Sequence, residues 1–215
     1  MNPSGETSAA TPGTPGRTSR ALLASCTVAL VVSVALNVVL AHRVRTITHA
    51  QSERIAERLL TVGTSVPAIM AKRLDGQEET ISYGGVNQST VLYIFTPPCT
   101  WCARNMDNLK TLLDKERGQY RFIGLSLSAD ALPEYVAKND LKLPVYSGLS
   151  NETKAAYKLS GTPQTIVVSP EGKVLQDWAG AYVGEQKSQV EAFFHVTLPG
   201  ITAAPKPTDT SVGGK

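Results

Sequence analysis

Val91-Leu92-Tyr93-Ile94-Phe95-Thr96-Pro97-Pro98-Cys99-Thr100-Trp101-Cys102 is the stretch that decides the fold. Its first five residues are an uninterrupted apolar run and read as a buried β-strand. Met106, Leu109, Leu112 and Leu113 follow the cysteines at helical spacing. Two cysteines separated by two residues at a strand-to-helix junction can close a disulfide within one helical turn. The N-terminal end of the helix, with its dipole and free N–H groups, favours a thiolate on the first sulfur.

Two other uses of the pair fit the rest of the chain poorly. A structural zinc site needs four ligands. The only other cysteine is Cys26, the histidines are His42, His49 and His195, and no second CxxC exists, so no metal and no cofactor is expected. A purely structural disulfide of so small a ring would constrain the unfolded chain little. The pair therefore reads as chemical.

Composition supports one globular domain with appendages: 215 residues, 42% hydrophobic, 18% charged. The net charge of +3 is scattered along the chain, which gives no reason to expect nucleic acid as a partner. Residues 1–20 are rich in Ser, Thr, Pro, Gly and Ala without apolar periodicity and are expected to be a disordered tail. Ala21 to Ala41 carries no charged residue. As a helix these residues would span about 31 Å, the thickness of a bilayer's hydrocarbon core, and they are expected to be a transmembrane anchor. The stretch is longer than the apolar core of a cleaved signal peptide, which favours an uncleaved anchor. Leu23-Ala24-Ser25-Cys26 resembles a lipobox, but most of the apolar stretch follows the cysteine, and Cys26 is read as a bystander in the membrane. Flanking arginines (Arg17 and Arg20 against Arg43, Arg45 and Arg54) leave the orientation nearly balanced. Against a slight lean of those charges, redox chemistry is the reason to expect the C-terminal domain in the periplasm or outside.

Residues 42–62 read as a stalk with a short amphipathic helix, and Gly63-Thr64-Ser65 as a joint. Beyond it strands and helices alternate. Ala68–Arg73 and Glu79–Tyr83 form a hairpin around Asp75-Gly76. Val91–Thr96 is a central strand and Cys99 to about Arg117 one long helix. Tyr120–Leu127 is a strand, Leu132–Lys138 a helix, Lys142–Tyr146 a strand, and Asn151 caps a helix running to Leu159. Gln164–Val168 and Val174–Trp178 flank a turn at 170–173, and Glu185–His195 is a helix turning Val190, Phe193 and Phe194 inward. Residues 199–215 are expected to be a second disordered tail. The pattern predicts an α/β domain over residues 63–198 with a central mixed sheet in a three-layer sandwich.

Two stretches of this domain resemble the thioredoxin fold. One is the strand, the CxxC and its helix. The other is Gly161-Thr162-Pro163-Gln164-Thr165-Ile166-Val167-Val168, which resembles the family's loop where a cis-proline opens the strand beside the active site. The resemblance covers roughly residues 63–196 and is nearest to the membrane-anchored TlpA/ResA-like thiol–disulfide oxidoreductases. Val66-Pro67, Leu74-Asp75-Gly76 and Ser169-Pro170-Glu171-Gly172-Lys173-Val174 are consistent with that group. It implies a thioredoxin-like sandwich, a redox-active Cys99–Cys102 disulfide and protein dithiol or disulfide substrates. It also implies a redox partner such as a membrane reductase. Three positions depart from the family pattern. Pro98 stands where a tryptophan usually precedes the first cysteine; Asn105 stands where a glutamate often follows the second; Tyr93 matches the buried acid of thioredoxins.

The resemblance implies exchange in which Cys99 attacks a substrate disulfide and Cys102 resolves the mixed disulfide. Thr162, Pro163 and Trp101 are then the expected substrate-binding residues, with Thr162-Pro163 pairing to the substrate strand. A reductant role comes from the family alone. Thr96-x-x-Cys99 also matches half of a peroxiredoxin pattern, with Leu92 in place of its proline, so a thiol peroxidase is the alternative enzyme. A membrane-tethered binding module is the alternative outside catalysis.

Overall fold

The computed structural model of the chain describes residues 17–85 and 87–201. Most of the N-terminal segment expected to be a tail, residues 1–16, and residues 202–215 of the C-terminal one lie outside the described residues. The chain divides into two compact units, Met1–Glu53 and Arg54–Lys215.

The described part of the first unit is helix. Helix α1 (Arg17–Arg58) begins within the expected tail and runs on through most of the expected stalk, so residues 42–58 are not a separate short helix. It contains one stretch long and apolar enough to cross a membrane, Ala29–Thr46, with a mean hydropathy of 1.4.

The second unit is built on one seven-stranded sheet. Its strands are β1 (Ile69–Arg73), β2 (Glu78–Ile81), β3 (Ser89–Phe95), β4 (Tyr120–Ser126), β5 (Val145–Ser147), β6 (Gln164–Val168) and β7 (Val174–Ala179), in the order β2-β1-β5-β4-β3-β6-β7. Strands β3, β4 and β5 run parallel; β6, β7, β1 and β2 add antiparallel edges. β3 is central and buried along nearly its whole length, as its unbroken apolar run requires. Successive side chains alternate faces. Val91, Tyr93 and Phe95 enter one core with Val167 and Trp178; Leu92 and Ile94 enter the other with Ile123, Ile166 and Val168. Gly124, paired with Tyr93, leaves room for a neighbour: a Cβ there would lie 3.2 Å from the Phe95 ring.

The helices are α2 (Thr100–Arg104), α3 (Met106–Glu116), α4 (Leu132–Lys138), α5 (Asn151–Ala156) and α6 (Gly184–Phe194). The inward residues of α3, α4 and α6, among them Leu109, Leu112, Leu132, Val190 and Phe194, complete the core on the Tyr93 face. Phe193 is half-buried and packs edge-on against Trp178 at 5.5 Å. The order of elements follows the sequence reading, but α5 ends at Ala156 and β2 at Ile81, short of the expected Leu159 and Tyr83, and three further differences stand out. The single helix expected after Cys99 breaks at Asn105, which is both the last cap of α2 and the first cap of α3. The cap of α5 is Ser150, in extended backbone, with its hydroxyl accepting from the Thr153 N–H at 3.1 Å; Asn151 is already helical. β5 is shorter than expected and starts at Val145, where pairing with β4 begins.

This topology positions the site. β3 and β6 are antiparallel neighbours, with Ile94 opposite Gln164. The end of β3 therefore meets the beginning of β6, and the loops at those ends, Thr96–Cys99 and Thr162-Pro163, come together.

Candidate active site

Cys99 and Cys102 form a disulfide, with Cα atoms 5.2 Å apart. Cys99 is the N-cap of α2: its backbone is extended (φ −72°, ψ 109°) and its sulfur accepts from the Cys102 N–H at 3.0 Å. A cap normally uses an oxygen to satisfy one of the unpaired N–H groups of a first turn. Here a sulfur does so, and the same N–H would stabilise a thiolate on Cys99 after reduction. The backbone closes the turn as well, with Cys99 N–H donating to Thr96 O at 3.1 Å and Ala103 N–H to Cys99 O at 3.0 Å.

The two sulfurs differ in surroundings. Cys99 is half-buried at the surface, whereas Cys102 is fully buried in the core. An external disulfide can reach only the first.

The Thr162-Pro163 bond is cis, as the resemblance implied. Pro163 is buried and Thr162 half-buried. The Thr162 carbonyl lies 3.5 Å from Cys99 Sγ. In the disulfide that sulfur carries no hydrogen, so the contact becomes a hydrogen bond only when Cys99 is a thiol. The Thr96 and Thr162 hydroxyls lie 3.4 Å apart, closing the loops against each other. The Gly180 N–H holds the Pro163 carbonyl at 2.7 Å. Trp101, between the cysteines, is 48% exposed, and the Arg104 guanidinium carbon sits 4.5 Å from its ring centroid. Five expected site residues (Cys99, Cys102, Thr162, Pro163 and Trp101) therefore gather at one end of the sheet.

A buried polar group gathers around Asn105, which the sequence reading named, with Tyr93, only as a departure from a pattern. Asn105 is wholly buried; its Oδ1 accepts from the Tyr182 N–H at 3.0 Å and from Asn108 Nδ2 at 2.9 Å. Two donors on that oxygen fix the amide orientation. Its Nδ2 and the Tyr93 hydroxyl make no hydrogen bond of ordinary geometry, although the amide is near enough to pull the Tyr93 pKa down. Burial outweighs that pull, and with neighbouring Tyr182 it pushes the phenol well above its ordinary value. Tyr182, whose hydroxyl pairs with that of Thr165 at 2.7 Å, is pushed up by burial to about 12. Nothing in the loop around Gly180 marks Tyr182 in the sequence as part of this group. The i, i+3 spacing of Trp101 and Arg104 could have suggested their contact.

Comparison with known proteins bears on the family and the fold. A model of the AhpC/TSA family matches residues 62–176. No curated protein sequence matches the chain. Among solved structures, the thioredoxin domain of a thiol-disulfide oxidoreductase from Bacteroides vulgatus is similar at 20% identity and TM-score 0.51, over 63% of this chain and 99% of that one. A candidate thiol:disulfide interchange protein DsbE from Chlorobium tepidum aligns at 16% identity and TM-score 0.54, over 63% of this chain and 97% of that one. A thiol-disulfide oxidoreductase from Bacteroides fragilis aligns at 21% identity and TM-score 0.50, over 60% and 99%. The second unit thus has the thioredoxin-like fold, in line with the resemblance read from the sequence.

Proposed function

The chain belongs to the AhpC/TSA family, and from that premise we propose that it is a membrane-anchored thiol–disulfide oxidoreductase that exchanges its Cys99–Cys102 dithiol with protein disulfides, as a reductant. The observation that carries the reading is the asymmetry of the pair: a half-buried, helix-capping Cys99 beside the Thr162 carbonyl, bonded to a fully buried Cys102. The Cys99 thiolate attacks one sulfur of a substrate disulfide, and the other substrate sulfur leaves with the electron pair and takes up a proton. The Cys102 sulfur then attacks Cys99 Sγ, losing its proton as the second substrate thiol departs. The enzyme ends oxidised and the substrate reduced by two electrons. Thr162 and Pro163 offer backbone to the substrate strand and Trp101 an exposed aromatic face.

Anchoring rests on α1. Leu30, Val34, Leu36 and Val38 of this helix are all more than half exposed. A helix apolar on every side fits a bilayer. Residues 21–41 serve as the anchor, residues 42–62 lead to the domain, and the domain faces the periplasm or the outside, where protein disulfides form. A membrane reductase on the same bilayer could then keep the pair reduced.

Three measurements test this. The Cys102→Ala variant should accumulate substrates joined to Cys99, and Cys99→Ser should trap none; an empty Cys102→Ala trap, with no reduction of oxidised glutathione by the wild type, sinks the reading. A reduction potential near about −270 mV marks a donor, and one near about −120 mV would reverse the proposed direction. Protease should digest the domain in intact cells whose outer barrier is opened; protection would place it in the cytoplasm.

The family match also favours a second reading, a peroxiredoxin-like peroxidase using Cys99. In this structure the Thr96 hydroxyl meets Thr162, and Cys99 is already paired with a partner three residues away. Consumption of hydrogen peroxide coupled to a dithiol, without reduction of glutathione disulfide, would favour the peroxidase.

A further inference from the structure

The two cysteines ride on segments that are tied down separately. Cys99 goes with the loops at the end of the sheet, its N–H bonded to Thr96 O and its sulfur beside the Thr162 carbonyl. Cys102 goes with α2, whose far end is held by Asn105. The Asn105 N–H donates to Trp101 O at 3.0 Å, and its carbonyl accepts the Leu109 N–H at 3.1 Å, so this residue is bonded to both α2 and α3. Its side chain reaches the loop after β7, where Oδ1 accepts from the Tyr182 N–H at 3.0 Å. The same loop holds the Pro163 carbonyl through the Gly180 N–H, and the Tyr182 hydroxyl bonds that of Thr165 on β6. Asn105 thus joins the helix that carries Cys102 to the strand that follows Pro163.

A second amide stands next to the first. Asn108 is wholly buried; its Nδ2 donates to Asn105 Oδ1 at 2.9 Å, and its Oδ1 accepts from the Gly200 N–H at 2.8 Å. Gly200 lies in the segment expected to be a tail, yet the chain is fastened there. His195, in left-handed backbone, turns the chain away from α6. Leu198 is buried in the core, its N–H on Glu191 Oε1, and Gly200 has a φ of +98°, which favours glycine. Residues 196–200 therefore form a strap across α3. Asn105 Nδ2 has no partner, so the Tyr182 N–H and Asn108 Nδ2 are the donors that fix the orientation of its amide.

We propose that Asn108, braced by the Gly200 N–H, is a positioning residue of the redox site: it locks the Asn105 amide and through it holds α2, so that Cys102 is kept within reach of Cys99. This rests on the exchange reading above. Both amides are neutral and pass no proton to or from the sulfurs. In the exchange with oxidised glutathione the dithiol gives up two electrons and two protons. The Cys99–Cys102 bond forms, the glutathione S–S bond breaks, and two glutathione thiols leave. Holding two thiols together raises their effective concentration, so a loosened α2 should close the ring more slowly and leave a disulfide that is easier to reduce. A contact worth the same in both redox forms would change stability without moving that equilibrium.

The test uses the full-length chain in detergent micelles, equilibrated with glutathione buffers, with formation and decay of the glutathione adduct on Cys99 followed separately. Asn108→Ala should lower the equilibrium constant for closing the Cys99–Cys102 bond by about tenfold, a rise of about 30 mV in reduction potential. Decay of the adduct should slow by a similar factor while its formation stays at the wild-type rate. Gly200→Ala, which strains the strap without crowding a neighbour, should act in the same direction by about threefold. Tyr157→Phe, which loosens the opposite face of the sheet, should leave both quantities unchanged. A folded Asn108→Ala with the wild-type constant and decay overturns the proposal. So does a shift in Tyr157→Phe as large as that in Asn108→Ala, since the effect would then be one of general destabilisation. If Asn108→Ala does not fold, Gly200→Ala decides in the same way. Failure of the exchange reading looks different: the wild type would form no adduct with oxidised glutathione, while the ring-closing constant, read against dithiothreitol, would still report on Asn108.

Discussion

Two buried tyrosine clusters stand on opposite faces of the same sheet and are finished differently. On the face away from the cysteines, the Tyr83 hydroxyl bonds the Tyr157 hydroxyl at 2.7 Å, and Tyr157 donates to the Pro67 carbonyl. That chain ends on a backbone acceptor with every polar atom used. Both phenols are pushed up by burial, Tyr157 to about 12, so both stay neutral. On the face holding Cys102, Tyr93 and Asn105 are equally buried but incomplete. Among the described residues, all three buried side-chain polar atoms without a partner lie on or against this second core: Tyr93 Oη, Asn105 Nδ2 and Tyr135 Oη. A completed network contributes rigidity, whereas buried polar atoms left without a partner keep their hydrogen-bonding capacity open.

The largest effect expected bears on the chemical side of this contrast. Cys99→Ser should abolish disulfide reduction, a loss of about a thousandfold or more, because the site's remaining thiol, Cys102, is buried out of reach of an external disulfide. The variant should still fold, since closing so short a ring is worth only about 2 kcal/mol against the unfolded chain. Turnover of glutathione disulfide and a urea titration measure the two quantities independently. Turnover retained by the serine variant would move the chemistry away from the Tyr93 face.

Next in size is the stability difference between the clusters themselves. Tyr157→Phe strands the Tyr83 hydroxyl and the Pro67 carbonyl and should cost about 1–3 kcal/mol. Tyr93→Phe removes a hydroxyl with no regular partner and should be neutral or slightly stabilising, within about 1 kcal/mol. Denaturant midpoints of the two variants give the comparison directly. Equal losses would mean that the Tyr93 hydroxyl is as well satisfied as that of Tyr157.

The order of elements was readable from the chain because each signal was local: an apolar run for β3, Asp75-Gly76 for the first hairpin, cysteines at a strand-to-helix junction, Thr162-Pro163 before β6. The meeting of the two loops was readable only through the resemblance, since the antiparallel pairing of β3 with β6 joins residues far apart in sequence. The break at Asn105 was not legible. Asn105 interrupts the helix while its side chain caps a distant loop through the Tyr182 N–H, a tertiary contact that overrides the periodicity of Met106, Leu109 and Leu113. Ser150 and Asn151 are both good caps, and sequence alone could not choose between neighbours one residue apart. The opposite finish of the two tyrosine clusters was invisible for a related reason: Tyr83 follows β2 and Tyr93 lies within β3, and neither local sequence tells what meets the hydroxyl.

A third buried polar cluster, that of Asp177, provides the smallest and most specific expectation. Its carboxylate accepts from the Leu60 N–H at 2.8 Å and from Gln164 Nε2 at 2.9 and 3.1 Å, joining the start of the domain to the strand that follows Pro163. Burial pushes this carboxyl above the ordinary carboxylate value, against the Leu60 and Gln164 hydrogen bonds and the Lys158 ammonium, which pull it down. A raised value means that the native state binds the proton more tightly than the unfolded chain does. Stability from this group is therefore fully present below the unfolded value and is lost as pH rises through the folded one. The carboxylates of exposed Glu152 and Glu171 and of half-buried Glu191 are shifted down and act with the opposite sign at lower pH. Asp177→Asn keeps an acceptor for Leu60 and removes the charge, so it should be at least as stable as the wild type at pH 7 and should flatten the decline above about pH 4. Urea titrations of both proteins at several pH values test this. A variant less stable than the wild type at pH 7 would show that the ionised carboxylate is fully compensated, placing Asp177 with the completed Tyr83–Tyr157 cluster rather than with the open pair at Tyr93.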